Sequence, residues 1–139
     1  MARFGGERFG YKVMYLATIK EDGYPRVHPF TPFIGASRLV AFMEPTSPKG
    51  KDLQRNGKYS MHSLVTDMHG SDGEFQITGD AFLSNNPDRR QEAVSACPYK
   101  PQERYILFEF RIGSCMTNDY KDGAPGVKKW KAQSPGQLD

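Results

Sequence analysis

Between Glu44 and His62 the chain reads EPTSPKGKDLQRNGKYSMH, and the opening half of this stretch brings together residue types that hold an anion. Thr46 and Ser47 offer hydroxyl donors, and Lys49 and Lys51 offer ammonium groups beside them. Ser47-Pro48 has the form of a helix start: the serine can cap exposed amides, and proline in the first helical position lacks only an N–H that would have no intrahelical acceptor. Such a helix, expected to run to Gly57, presents unpaired N–H groups and a partial positive charge at its amino end, which suits a phosphate. An ordinary capped helix with solvated lysines has the same features. The residues of this stretch leave both readings open.

Other chemistry-bearing residues are sparse. His28, His62 and His69 have no partners at metal-ligand spacing, so no metal is expected, and His69 sits in the polar loop DMHGSDG, read as exposed. Cys97 and Cys115 stand far apart and read as reduced and structural. No serine, histidine and acid set recommends nucleophilic hydrolysis, and no catalytic side chain is assigned. DRRQEA reads as a solvated helix face with Arg89 and Arg90 exposed, and Trp130, set among lysines, is expected to pack at a rim.

The elements that must position these residues are mostly strands. KVMYLATIK places Val13, Tyr15, Ala17 and Ile19 on one side of a half-buried strand, and Asp22-Gly23 after it supplies the positive backbone angles of a hairpin. PRVHPFTPFI should return antiparallel to it. Pro29 and Pro32 there cannot donate to a ladder, which suits either an edge strand or a strand whose missing amides lie under a ligand. RLVAFME, KYSMHSLVT, EFQITGDAFLS and RYILFEFRIG read as further strands, with Phe75, Ile77 and Ala81 on one face and Ile106, Phe108, Phe110 and Ile112 on another; GVKKWKA is a final short one. A second helix begins at NPDRRQEAVSA, with Asn86 as cap and Pro87 in the first position. Short strands joined by hairpin signals, with helices at only two crossings, predict a mainly β, antiparallel small barrel rather than a doubly wound sheet.

The length of 139 residues fits one domain, spanning 1–139, with 1–10 and 132–139 read as flexible tails. A formal charge of +3, with acids scattered among the bases, demands neither a nucleic-acid nor a membrane partner. No run approaches the length of a bilayer span, and no secretory leader is visible, so the expected location is the cytoplasm.

Taken in order, YLATIKEDGYPRVHPF, RLVAFMEPTSPKGKDL, YSMHSL and EFQITGDA resemble the first strands of the pyridoxamine 5′-phosphate oxidase-like, flavin-binding split-barrel family. The likeness runs from about Val13 to Ala81. It implies a six-stranded antiparallel split β-barrel with two or three short helices, and a homodimer holding flavin mononucleotide (FMN) in clefts between its subunits. By the same resemblance Ser47 and Lys49 match the residues that hold the flavin phosphate, with Thr46 and Lys51 as neighbouring contacts. Phe42, Met43 and Glu44 match the strand lining the ring and ribityl chain, and His28, Pro29, Phe30 and Thr31 match the strand on which the ring rests. The implied activity is oxidoreduction of a small organic substrate.

The chain also departs from the oxidase pattern. His28 and Phe33 stand where the oxidases carry an arginine and, five residues on, a lysine; Glu74 replaces a glutamine, and the arginine-rich carboxy-terminal signature is missing. These differences point away from vitamin B6 oxidation and toward a short, general member binding FMN, a deazaflavin or heme. A nucleic-acid-binding small barrel is the alternative from another class.

Overall fold

The computed structural model describes residues 13–65, 73–121 and 124–132. His69, the segment 1–10 and all but the first residue of 132–139 lie outside them. The elements run β1 (Met14–Ile19), β2 (Pro25–Phe30), β3 (Phe33–Gly35), β4 (Arg38–Met43), α1 (Pro48–Arg55), β5 (Lys58–Ser63), β6 (Glu74–Leu83), α2 (Pro87–Ala96), β7 (Ile106–Lys121) and β8 (Ala124–Lys131).

All strand pairs are antiparallel, in the order β2-β1-β5-β6-β7-β4-β3, with β8 added to β7. The two ends of this path, β2 and β3, are separated in sequence only by Thr31 and Pro32. A sheet whose outermost strands are that close along the chain must curl on itself, and the result is a split barrel. Pro32 is buried at the split and has no N–H to offer either edge. Long β7 spans the opening from the other side: Ile106–Glu109 pairs with β4 and Ser114–Lys121 with β8, while β6 runs beside both parts.

The expected second strand, PRVHPFTPFI, is therefore two strands at opposite ends of the path. The described residues thus form eight strands, where the strand patterns gave seven and the resemblance implied six, within the same fold class. The edge reading is borne out for Pro29, since among the described residues β2 pairs only with β1, while Pro32 lies in the link to β3. On β1 the expected parity is reversed: Met14, Leu16 and Thr18 are buried, whereas Val13 and Tyr15 are exposed. Thr18 tolerates burial because its hydroxyl donates to the Asp52 carboxylate at 2.7 Å.

The core fills the inside of the curl with Met14, Leu16, Leu39, Met61, Phe75, Ile77, Phe108 and Phe110 among others. Phe75, Ile77 and Ala81 do share this face, as do Phe108 and Phe110, with Ile106 and Ile112 packed against it. A second cluster of Phe33, Val40, Phe42, Ala93 and Leu107 lies on the opposite face of β3, β4 and β7, under α2. Both helices begin as expected. Ser47 Oγ accepts from Gly50 N–H, and Asn86 Oδ1 accepts from the Asp88 and Arg89 amides.

Arg89 and Arg90 correct the expectation of a solvated helix face. Arg89 reaches the buried Glu109 carboxylate at 3.2 Å, joined there by Arg38 at 3.3 Å. Arg90 donates to the Tyr105 and Glu103 carbonyls and lies over the Phe42 ring. A charged run reads as solvated until tertiary structure supplies acceptors. Trp130, expected to pack, stands opposite Cys115 on β8 and is 53% exposed.

The two hairpins use different turns. Gly23 alone is left-handed in the β1–β2 turn (φ +90°), so Asp22 does not share the positive angle expected of it. Between β3 and β4, Ala36 (φ 53°) and Ser37 (φ 65°) both take positive angles, the arrangement of a type I′ turn normally filled by Asn-Gly. Neither residue suits that region, because a Cβ crowds the following carbonyl there. The double substitution Ala36→Asn, Ser37→Gly is expected to raise stability by about 1 kcal/mol. The urea midpoint measures it, and an unchanged or lower midpoint would show that the turn carries no strain.

Candidate functional site

The first turn of α1 forms one wall of a charged corner. Ser47 is its hinge: its amide and its hydroxyl both donate to the Glu44 carbonyl, while its Oγ accepts from Gly50 N–H. Gly50 is required because a Cβ there would lie 2.7 Å from the Glu44 carbonyl oxygen. Of the orphan amides at this helix start, Pro48 has none and those of Ser47 and Gly50 are engaged, which leaves the Lys49 N–H as the one without an acceptor among the described residues. Glu44 itself accepts from Arg104 Nε at Oε1 (2.8 Å) and faces Arg104 Nη2 at Oε2 (2.8 Å), a two-nitrogen clasp that fastens the loop before β7 to the entrance of α1.

The β1–β2 hairpin supplies the opposite wall. Its register sets Thr18 against Arg26 and Leu16 against His28, so Arg26 and His28 face inward with the buried side of β1. Asp52, one turn along α1 from Lys49, closes the corner from below: it is 2% exposed, accepts from Thr18 and from Arg26 (2.8 Å) at Oδ2, and from Arg55 (3.0 Å) at Oδ1. Burial works to raise this carboxyl, but the donors Arg26, Thr18 and Arg55 outweigh it and hold it below the usual carboxylate range.

Lys49 and His28 are left without such partners. No carboxylate among the described residues lies within ion-pair distance of Lys49, and partial burial pushes its ammonium below the usual lysine range. His28 Nε2 is buried and has no hydrogen-bond partner among the described residues. Burial, then the charges of Lys49 and Arg26, push its imidazole below the ordinary histidine range, against a weaker opposing pull from Asp52. The corner thus holds uncompensated positive character.

The sequence-predicted residues divide by position. Ser47, Lys49 and His28 belong to the corner, with Glu44 contributing its carbonyl. Thr46 and Lys51 are exposed on the same turn, and Thr31 is half-buried in the link to β3. Pro29 lies on the outer face opposite Tyr15. Phe30 is buried with its ring 5.7 Å from Phe110, Met43 is in the core, and Phe42 stacks on Phe33 beneath α2. Those three side chains are committed to packing, so what β4 can offer at this point is backbone.

Arg26, Thr18, Asp52, Arg55 and Arg104 escaped sequence reasoning. Part of the signal was present: the Asp-Gly hairpin aligns Thr18 with Arg26, and Asp52 adjoins Leu53 on the apolar side of its helix. His62, by contrast, is paired with Glu74 at 3.3 Å and with the Ser63 carbonyl. Among the described residues no group of three His, Cys, Asp or Glu is placed to hold a metal ion. No helix there is long and apolar enough to cross a membrane.

Comparison with known proteins adds a family to this geometry. No curated protein matches the chain. Among solved structures it is similar to a NimC/NimA family protein from Clostridium acetobutylicum (21% identity, TM-score 0.65, 86% of this chain and 85% of that one). It is also similar to a heme-binding protein from Mycobacterium smegmatis (14%, TM-score 0.68), where it covers 91% of its own length but only 54% of the other. An F420 reductase matches at 14% identity and TM-score 0.57, over 75% of this chain and 88% of that one. At these identities the likeness establishes the split-barrel fold alone. The family model described as pyridoxamine 5′-phosphate oxidase matches residues 10–114, well over half of the sequence, and the chain belongs to that family.

Proposed function

We propose that this protein binds FMN through the α1 corner and acts as a flavin-dependent oxidoreductase on a small organic substrate, as a homodimer with its cofactor clefts between subunits. The observation that carries the reading is the pairing of a half-buried, carboxylate-free Lys49 with the unpartnered Nε2 of His28. A phosphate monoester fits both groups. It would neutralise Lys49, accept from the Lys49 amide and from the hydroxyl of Thr46, and give His28 an acceptor. Flavin, when bound, supplies reversible acceptance of two electrons, and the protein's share of the chemistry is to hold and orient it.

The chain's own residues then have distinct tasks. Asp52 fixes Arg26 and the first turn of α1 in one arrangement, and the Arg104–Glu44 pair holds the entrance. The visible spectrum of the isolated protein tests the reading first. FMN gives a yellow protein and quenched flavin fluorescence on titration; a colourless protein that leaves FMN fluorescence unchanged at micromolar concentration would remove the proposal. The similarity to a heme-binding protein and to an F420 reductase makes heme and a deazaflavin the alternatives, each with its own absorption spectrum.

Lys49→Ala removes a charge-assisted contact worth about 1.5–3 kcal/mol, so FMN affinity should fall about tenfold to hundredfold. Riboflavin, which lacks the phosphate, should bind both proteins equally. A dissociation constant for FMN unaltered by the substitution would take Lys49 out of the site.

A further inference from the structure

One residue of β2 meets α1 directly, and a second is near enough to feel its charge. Arg26 and His28 lie on one face of the strand, roughly 7 Å apart, and Asp52 and Lys49 lie one helical turn, about 4.5 Å of rise, apart on α1. Arg26 meets Asp52 at 2.8 Å, and the charge of Lys49 is near enough to depress the proton affinity of His28. The two couples differ in one respect. The first is neutralised internally, whereas the second places a cation beside an imidazole and has no anion.

Asp52 cannot serve the second couple. Its Oδ2 already accepts from Thr18 and Arg26 and its Oδ1 from Arg55. Glu44, the other nearby acid, is held by Arg104. Arg26 on the same strand and Lys49 and Asp52 on α1 are the charged groups acting on His28, and the facing β1 position is Leu16. In this setting burial and the neighbouring cations disfavour the charged imidazole while no anion is present. Once a dianion sits beside Lys49, the sign of the local field reverses and the buried Nε2 becomes a donor to it.

We propose that His28 takes up a proton as an anion docks beside Lys49, so that this corner is a proton-linked anion site whose grip strengthens as pH falls. The inference rests on reading the corner as an anion site. It adds a regulatory property that an arginine in place of His28 would lack, since a guanidinium stays charged throughout.

Sulfate is the appropriate probe. It remains a dianion across the range, whereas a phosphate monoester itself titrates near pH 6 and would mask the effect. Sulfate affinity of the full chain, measured by calorimetry, should rise about tenfold between about pH 8 and about pH 5.5. His28→Asn should flatten that rise, any remaining slope belonging to Lys49. In the unmodified protein, the His28 imidazole resonances should move to their protonated positions when sulfate is added near neutral pH. Sulfate affinity that is constant with pH, a slope fully retained in His28→Asn, or His28 resonances that do not move would each overturn the proposal. If FMN nevertheless binds, only the proton linkage falls. If neither FMN nor sulfate binds at any pH, the reading of the corner falls with it.

Discussion

Gly79→Ala is expected to destabilise the protein by about 4 kcal/mol, combining overpacking with the loss of a buried hydrogen bond. At Gly79 the register between β6 and β7 shifts, with Gly113 as the extra residue on β7. A Cβ on Gly79 would lie 1.9 Å from the Arg111 carbonyl oxygen and 2.9 Å from the Gly113 nitrogen. Both are backbone atoms, so relief requires the two strands to part. The same Arg111 carbonyl accepts from the buried Tyr59 hydroxyl at 3.0 Å, and displacing it strands that donor. Gly113→Ala is the control: its Cβ would come no closer than 3.3 Å to the Thr78 carbonyl oxygen, and the expected cost is about 1 kcal/mol. Urea denaturation of both variants decides the matter. Equal midpoints would show that the close approach at Gly79 does not govern the sheet.

Asp52→Ala should cost about 3 kcal/mol, the lower end for breaking a buried ion pair, because Arg26 and Arg55 remain 32% and 39% exposed and recover some hydration. On a chain of this size that lowers the melting temperature by roughly 10 °C. The pH dependence has a definite sign. The folded carboxyl is held below its ordinary value, so its contribution is complete above the unfolded pKa and is lost as pH falls through the lower folded value. The gap between native and variant proteins should therefore be constant from neutral pH down to about pH 5 and narrow below about pH 4. FMN affinity should fall with stability, since α1 and Arg26 lose their common anchor. A loss under about 1 kcal/mol at neutral pH would mean that the three donors are satisfied by solvent instead.

Much of this molecule is written in short-range patterns. Ser47-Pro48 and Asn86-Pro87 begin helices because capping depends on a few consecutive residues, and the alternation in Phe75, Ile77 and Phe108, Phe110 marks core faces because strand periodicity is local. Ser47 and Lys49 were visible as candidates for the same reason, whereas His28 was singled out by the family resemblance. The β1 parity misled because Val13 and Tyr15 suit a half-buried strand as well as Met14 and Leu16 do, and only the direction in which the sheet curls chooses between the two faces. Arg89 and Arg90 misled because their acceptors, Glu109 and the Tyr105 and Glu103 carbonyls, lie on β7 or in the loop before it.

By itself, then, the amino-acid order determined the strand-rich class, the two helix starts, the Gly23 turn and the cluster of hydroxyl and ammonium donors at the α1 entrance, all of which depend on neighbours within a turn or a hairpin. The strand order that sets β2 and β3 at opposite ends of the sheet path, the saturation of Asp52 by Thr18, Arg26 and Arg55, and the isolation of His28 with Lys49 were decided only in three dimensions. The Thr18 and Arg26 contacts with Asp52 join groups 34 and 26 residues apart, and burial, which removes competing water, is what makes them selective.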